Sequence, residues 1–416
     1  MKKVLGLDEN IGALDSFFEW GGDSIKAIRM VSLLRQEGLT VGVAQIMSAK
    51  TVRKIAELCR ENNDTDMDIR PVSGDVGMSP VYEHFFESRY AVPAHFNQAV
   101  LYRFNSRADK TAVQEALDKL VEHHDMLRAV YNDNKVVIHN TDFKIKPEKA
   151  EAATSEDITA ICESIQENID MDKALLRACL IVSEKTDYLF LCAHHLIIDG
   201  VSWRILGEDF ANAYSQALSG KEIVLSRRTH PYTAYVQAME NYRDSYALKQ
   251  EVGYWKSVEA KVRKYPNRNL HEGTGKYNHL TISLGEEQTR RILSANMGEL
   301  NLEVNDIWLT AAAMSYKSIS GENALSVQME GHGREDIGAE LMTDRTVGWF
   351  NSMYPTVFEN ISGDISADLL VVKETLRKIP NHGVGYPLLR TPLNDESAVT
   401  PWLVFNYLGE WMRRNI

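Results

Sequence analysis

The sequence predicts a small all-α unit followed by a larger two-lobed α/β domain. Three observations carry that prediction. Residues 1–62 hold apolar positions at helical spacing, residues 63–77 are polar and acidic, and beyond 78 strand-like runs alternate with helical patterns in two successive series. A chain of 416 residues exceeds one ordinary core, so more than one domain is expected. With 44% hydrophobic and 25% charged residues, its balance is that of a soluble globular protein.

In the first unit, Phe17-Phe18-Glu19-Trp20 precedes Gly21-Gly22-Asp23-Ser24. A helix follows from Ile25 to Leu34, with Ile25, Ile28, Val31 and Leu34 on one face, and Gly38 stops it. A further helix carries Val52, Ile55, Ala56 and Cys59. Ser24 on its own reads as a helix N-cap. Residues 63–77, broken by Pro71 and Gly74, read as a linker.

The larger domain spans 78–416, with a first lobe at 78–232, a crossover helix at 233–260 and a second lobe at 261–416. His95 to Phe104 is expected as a strand, Ala112 to Val121 as a helix, and Leu176–Val182 with Tyr188–Cys192 as a hairpin. Thr233 to Ala260 reads as one long helical passage. The second series is Tyr277–Leu284 (strand), Glu286–Met297 (helix), Asp306–Lys317 (helix) and Ala324–Gln328 (strand).

No apolar run is long enough to span a bilayer, and Met1-Lys2-Lys3 leads into no signal-peptide stretch. The four cysteines are scattered without zinc spacing, which suits a reducing cytoplasm. A formal net charge of −12 argues against nucleic acid and anionic membranes as partners.

Chemistry is concentrated after the buried run Tyr188-Leu189-Phe190-Leu191-Cys192. There Ala193-His194-His195-Leu196-Ile197-Ile198-Asp199-Gly200 places two imidazoles, an aspartate and a glycine turn at a strand end. Titratable groups in such a place are costly unless paired or used, and imidazole moves protons near neutral pH. A second pair, His123-His124-Asp125, closes an amphipathic helix without a glycine turn and reads as structural.

The loop resembles the HHxxxDG motif shared by condensation and epimerization domains of nonribosomal peptide synthetases and by related CoA-dependent acyltransferases. Further segments match epimerization domains in order. They are Ser79 to Phe86, Asp306 to Ala311, Glu330-Gly331-His332-Gly333-Arg334-Glu335, Arg345-Thr346-Val347-Gly348-Trp349-Phe350, Pro380 to Tyr386, and Phe405-Asn406-Tyr407-Leu408-Gly409. Upstream, Gly-Gly-Asp-Ser-Ile behind Asp-x-Phe-Phe-Glu is similar to the carrier (thiolation) domain of the same synthetases. Asp23 before the serine looks like the carrier subtype that stands ahead of epimerization domains.

The resemblance implies a chloramphenicol acetyltransferase-like pseudodimer around a central tunnel. It implies 4′-phosphopantetheine attached covalently to Ser24, and no metal or nucleotide. It further implies Cα inversion of an L-aminoacyl or L-peptidyl thioester to the D form. The alternatives are condensation-type acyl transfer and an inactive carrier module.

The family's second histidine maps onto His195 and its acid/base glutamate onto Glu330. Which of the two removes the L-proton stays open. Glu330 would need its pKa raised by burial to serve. Tyr407 and Asn406 are candidate donors to a developing oxyanion, Asn406 reading equally as a strand cap. His194, Asp199 and Gly200 are expected to scaffold the loop, with Asp199 pairing a buried arginine; His332 fits either role. Implied partners are an upstream adenylation domain, a downstream condensation domain and a phosphopantetheinyl transferase. Against the family pattern, the carrier starts short and the closing elements beyond Gly409 are expected to be missing.

Overall fold

The structure is a computed structural model that describes residues 1–7, 10–61, 70–265, 279–294, 302–338, 341–389 and 400–409. The chain divides into two compact units. One comprises Met1–Asn62, Arg243–Glu335 and Ser352–Gly409, and the other comprises Asn63–Tyr242 and Asp336–Asn351.

The first unit opens with α1 (Lys2–Leu5), α2 (Ser24–Gln36), β1 (Leu39–Thr40), α3 (Val43–Ala49), α4 (Val52–Leu58) and β2 (Arg60–Glu61), the two short strands pairing antiparallel. Asp23 caps α2, its side chain accepting from the Lys26 amide at 2.7 Å. Phe17, Ala27, Met30, Val31, Ile46 and Ile55 form the core of these helices. Gly22 is required by packing, since a Cβ there would lie 2.5 Å from the Phe17 ring. The sequence pattern did not single out α3.

In the second unit the stretch expected to be linker ends in β3 (Gly74–Asp75), which pairs with a later strand through Gly74↔Ile138. Then come α5 (Pro80–Glu87), β4 (Asn97–Arg103), α6 (Lys110–His123), β5 (Ala129–Asn132), β6 (Lys135–Ile138), β7 (Glu148–Ala152), α7 (Ser155–Glu167), β8 (Leu176–Ser183), β9 (Asp187–His194), α8 (Gly200–Leu218) and α9 (Tyr232–Arg243). A sheet of order β4-β9-β8-β7 carries the site, and a second has order β3-β6-β5. β8 and β9 form the expected hairpin. Leu189, Leu191 and Ala193 on β9 are buried, as are Phe190 and Cys192, so this strand is covered on both faces and reads as continuous apolar sequence. α6 and α8 pack against each other, with Val113, Leu117 and Leu120 of α6 fully buried.

The first unit resumes with α10 (Tyr246–Lys264), α11 (Glu286–Ser294), α12 (Val304–Ser320), β10 (Leu325–Gly331), β11 (Ser352–Phe358), α13 (Ile365–Arg377) and β12 (Leu403–Phe405), the sheet order being β11-β10-β12. Two expectations are corrected here. The single helical passage expected from Thr233 is broken between α9 and α10, where Ser245 caps a new helix through the Leu248 amide at 3.1 Å. The strand expected at Tyr277–Leu284 does not form in its described part: Leu280 and Ile282 alternate as strand residues do, but they are 86% and 78% exposed and join no ladder. Tyr277 and Asn278 lie outside the described residues, as does the last part of the helix expected over Glu286–Met297.

Candidate functional site

β9 ends at His194, and a single 3₁₀ turn over His195–Ile197 leads into Ile198 and α8. The register Asn97↔His194 and the His195 amide bonded to the Phe96 carbonyl at 2.9 Å fix this corner to β4. Asp199 caps α8: one oxygen accepts from the Ser202 amide at 2.7 Å and the other from the Phe350 amide at 3.2 Å. The buried Arg345 engages Glu208, at 3.3 Å, and Asp209, at 2.5 Å.

The two imidazoles differ. His194 is fully buried, and its Nε2 lies 3.0 Å from the Pro93 carbonyl, which only accepts, so Nε2 carries the proton. Its Nδ1 accepts from the Leu196 amide at 3.2 Å. Both nitrogens are used, and burial pushes its pKa down to about 4.

His195 is half-buried and packs against two aromatic rings that also touch each other. Phe96 stacks on it at 5.3 Å, and Trp349 leans over it at 4.5 Å between centroids. Its Nε2 lies 2.8 Å from the Gln98 amide nitrogen, while its Nδ1 is buried without a hydrogen-bond partner. Burial lowers its pKa, with the backbone at His195, the Asp199 charge and the backbone at Ile198 pulling the other way. The corner thus holds one histidine with both ring nitrogens hydrogen-bonded and one whose Nε2 faces a single side-chain amide.

Trp349 is delivered by the segment Asp336–Asn351, which belongs to this unit although it lies late in the chain. Ser202 Oγ donates to the Gly348 carbonyl at 3.0 Å, and the Gly348 amide lies 3.1 Å from the same hydroxyl. Tyr232 donates to the Trp349 carbonyl at 2.6 Å.

In the other unit Glu330 is half-buried near the end of β10, opposite Met353 on β11. β12 runs parallel to β10 with Met329↔Phe405, so Glu330 and Asn406 follow at the same ends of neighbouring strands. Asn406 is exposed and Tyr407 half-buried. Burial raises the carboxyl of Glu335, which lies 3.3 Å from His332 Nε2. Beside it, Asn381 and His382 adopt positive φ of 38° and 49°, and Gly383 packs where a Cβ would sit 2.1 Å from Tyr354.

Ser24 opens α2 and is half-buried. A helix N-terminus favours a phosphate, and Lys26 stands on the same turn, its Nζ donating to the Gly21 carbonyl at 2.7 Å. These residues fit a phosphopantetheine attachment, and the group supplies a thiol that holds an acyl substrate as a thioester.

His123, His124 and Asp209 bring ligand-type atoms within 4.8 Å of one another. Asp209 is already matched by Arg345, whose fixed positive charge disfavours an added cation. Sequence reasoning gave no role to Gln98, Phe96 or Trp349. The one legible hint was a polar residue, Gln98, directly before the apolar run Ala99-Val100-Leu101.

The condensation-domain family model matches residues 79–415, and the phosphopantetheine attachment site model matches residues 1–59. Surfactin synthase subunit 1 of Bacillus subtilis (strain 168) is 36% identical over 98% of this chain, and bacitracin synthase 2 of Bacillus licheniformis is 36% identical over 98%. Tyrocidine synthase 2 of Brevibacillus parabrevis is 34% identical over 98%. The chain spans only 12%, 16% and 12% of those three relatives. Among solved structures, the epimerization domain from the third module of tyrocidine synthetase B superposes with a TM-score of 0.74 at 32% identity, covering 82% of this chain and 83% of that one. The first condensation domain of the calcium-dependent antibiotic synthetase shares the fold, with a TM-score of 0.61 at 17% identity over 79% of this chain and 80% of its own. The chain is a carrier domain with covalent 4′-phosphopantetheine followed by an α/β domain, and it belongs to the condensation-domain family of nonribosomal peptide synthetases.

Proposed function

We propose that the protein is a carrier–epimerization pair that interconverts L and D forms of an aminoacyl or peptidyl thioester held through Ser24. The observation that carries this reading is the His195 corner, where burial lowers the imidazole pKa and Nε2 faces a displaceable side-chain amide. The likeness at 32% identity to an epimerization domain supports it, while the condensation domain compared above is only 17% identical.

Inversion at Cα requires one proton to leave and another to return. His195 supplies one acid/base group and Glu330 the other. Tyr407 and Asn406 donate to the charge that builds on the substrate carbonyl oxygen. His194, Asp199 and Gly200 hold the loop rather than react. On this reading the scaffold is an acetyltransferase-like pseudodimer with a tunnel, divided at 78–232, 233–260 and 261–416 and preceded by a carrier at 1–62. Its partners are an adenylation domain upstream, a condensation domain downstream and a phosphopantetheinyl transferase.

The family model's own name favours one second reading, acyl transfer to an amine, in which His195 activates the nucleophile. The deciding experiment loads Ser24 with an aminoacyl-pantetheine, incubates the protein in D2O, and follows Cα deuterium and the L/D ratio. Deuterium uptake together with D product is expected, and Glu330→Gln and Ser24→Ala should each abolish it, the latter by preventing loading. A loaded substrate that stays protonated and L across several aminoacyl groups overturns the reading.

A further inference from the structure

We propose that Gln98 and Trp203 are positioning residues that lock His195 in its neutral Nδ1–H tautomer and cap its Nε2 lone pair until substrate displaces the cap. The inference rests on the reading above only in taking His195 as a proton-transfer group.

The argument starts from the indole. Trp203 is buried, and its Nε1–H can only donate, so the Gln98 atom 2.9 Å from it is the amide oxygen. That leaves the Gln98 NH2 facing His195 Nε2 at 2.8 Å. An amide NH2 also only donates, so Nε2 accepts and the ring proton sits on Nδ1. Each orientation in the chain is dictated by the next, and it ends at a group with a single possible role.

A proton on Nε2 would set N–H against N–H. Flipping the amide to relieve this would turn its NH2 onto the Trp203 indole N–H. The relay therefore opposes imidazolium without using a charge. Among the described residues the charged or titratable groups acting on the ring are Asp199, which favours the protonated form as the backbone at His195 and Ile198 also does, and His194, which disfavours it. Phe96 and Trp349 present uncharged faces.

When the Cα–H bond breaks, its electron pair moves toward the substrate carbonyl and the proton goes to Nε2. The Gln98 amide must then turn aside, and its tendency to return favours giving the proton back. A base that releases its proton promptly is what repeated inversion needs.

The test is a long-range ¹H–¹⁵N spectrum of the full chain with labelled histidine, His195 being assigned by its loss in His195→Asn. The wild type should show the Nδ1–H tautomer, titrating below the ordinary imidazole range. In Gln98→Glu the carboxylate accepts from both Trp203 and Nε2–H. The His195 pKa should therefore rise by about 1–3 units, and the acid limb of any exchange–pH profile should rise with it. Trp203→Phe frees the amide to flip, so a mixture of tautomers is expected in a chain that keeps its folded amide spectrum. An Nε2–H tautomer in the wild type, or an unchanged titration in Gln98→Glu, overturns the proposal. The tautomer is read without substrate, so it stands or falls apart from whether the protein epimerises anything.

Discussion

His194-His195 and His123-His124 lie in the same unit, and Asp199 or Asp125 follows each pair, yet their surroundings are opposite. The second pair stands beside a network of charged groups. His124 meets Asp209 at 3.0 Å, Asp209 meets Arg345 at 2.5 Å, and Asp125 meets Arg128 at 2.7 Å and also pairs with Arg228. Burial pushes the Asp209 carboxyl up, but His124 and Arg345 outweigh it and hold it below the usual range. At the first pair the described contacts are backbone groups, one amide side chain and aromatic faces. A histidine matched to counter-charges is a strut, whereas one left with a neutral, displaceable partner can move a proton.

The contrast breaks most directly at His195 and Asp209. His195→Ala should lower Cα exchange by about 10²–10⁴-fold, read by deuterium incorporation, with less loss of stability than a mutation in the other cluster. Asp209→Asn removes the carboxylate that matches the buried Arg345 and should cost about 3–5 kcal/mol in urea unfolding, while folded molecules retain exchange. The reverse pattern, activity lost at Asp209 and stability lost at His195, would exchange the two roles.

Much of this was legible in the sequence, and the reasons are local. β8 and β9 follow from unbroken apolar runs around a polar turn, and α6 follows from Ala112, Val113, Ala116, Leu117, Leu120 and Val121 on one face. The loop after β9 could be read because its residues are contiguous. Gln98, Phe96 and Trp349 could not be assigned, because their roles arise from the pairing of β4 with β9 and from a segment more than a hundred residues downstream. The expected strand at Tyr277–Leu284 failed for a related reason, since alternation says which residues would share a face but not whether a ladder partner exists. Burial also raises the Glu335 carboxyl, and nothing in the order of the Glu-Gly-His-Gly-Arg-Glu segment marks Glu335 for that effect.

The comparison also predicts a dependence on acid. Burial lowers the pKa of His194 to about 4 and of His123 to about 3, the latter helped by the neighbouring His124. In the unfolded chain both return to about 6.5. The unfolded state therefore binds more protons than the native state below that value. The stability these groups contribute is fully present above about pH 6.5 and is lost as pH falls toward the folded values. Urea midpoints should fall steadily from neutrality toward pH 4, each imidazole adding at most about 1.4 kcal/mol per pH unit. His123→Gln should flatten that slope, and an unchanged slope would show that His123 is already protonated in the native state.

The smallest expected effect separates packing from positioning at the first pair. Ser202 Oγ satisfies both the amide and the carbonyl of Gly348, and that clamp sets the Trp349 ring over His195. Gly348 has no room to shift toward Tyr232, since even a Cβ there would lie 2.5 Å from that ring. Ser202→Ala should therefore cost about 1–2 kcal/mol in unfolding. If Trp349 matters only as packing, exchange per folded molecule will be unchanged. If its face helps hold the neutral imidazole in place, exchange will fall severalfold and the His195 titration will move, which is the outcome expected when the ring's surroundings rather than a counter-charge define the base.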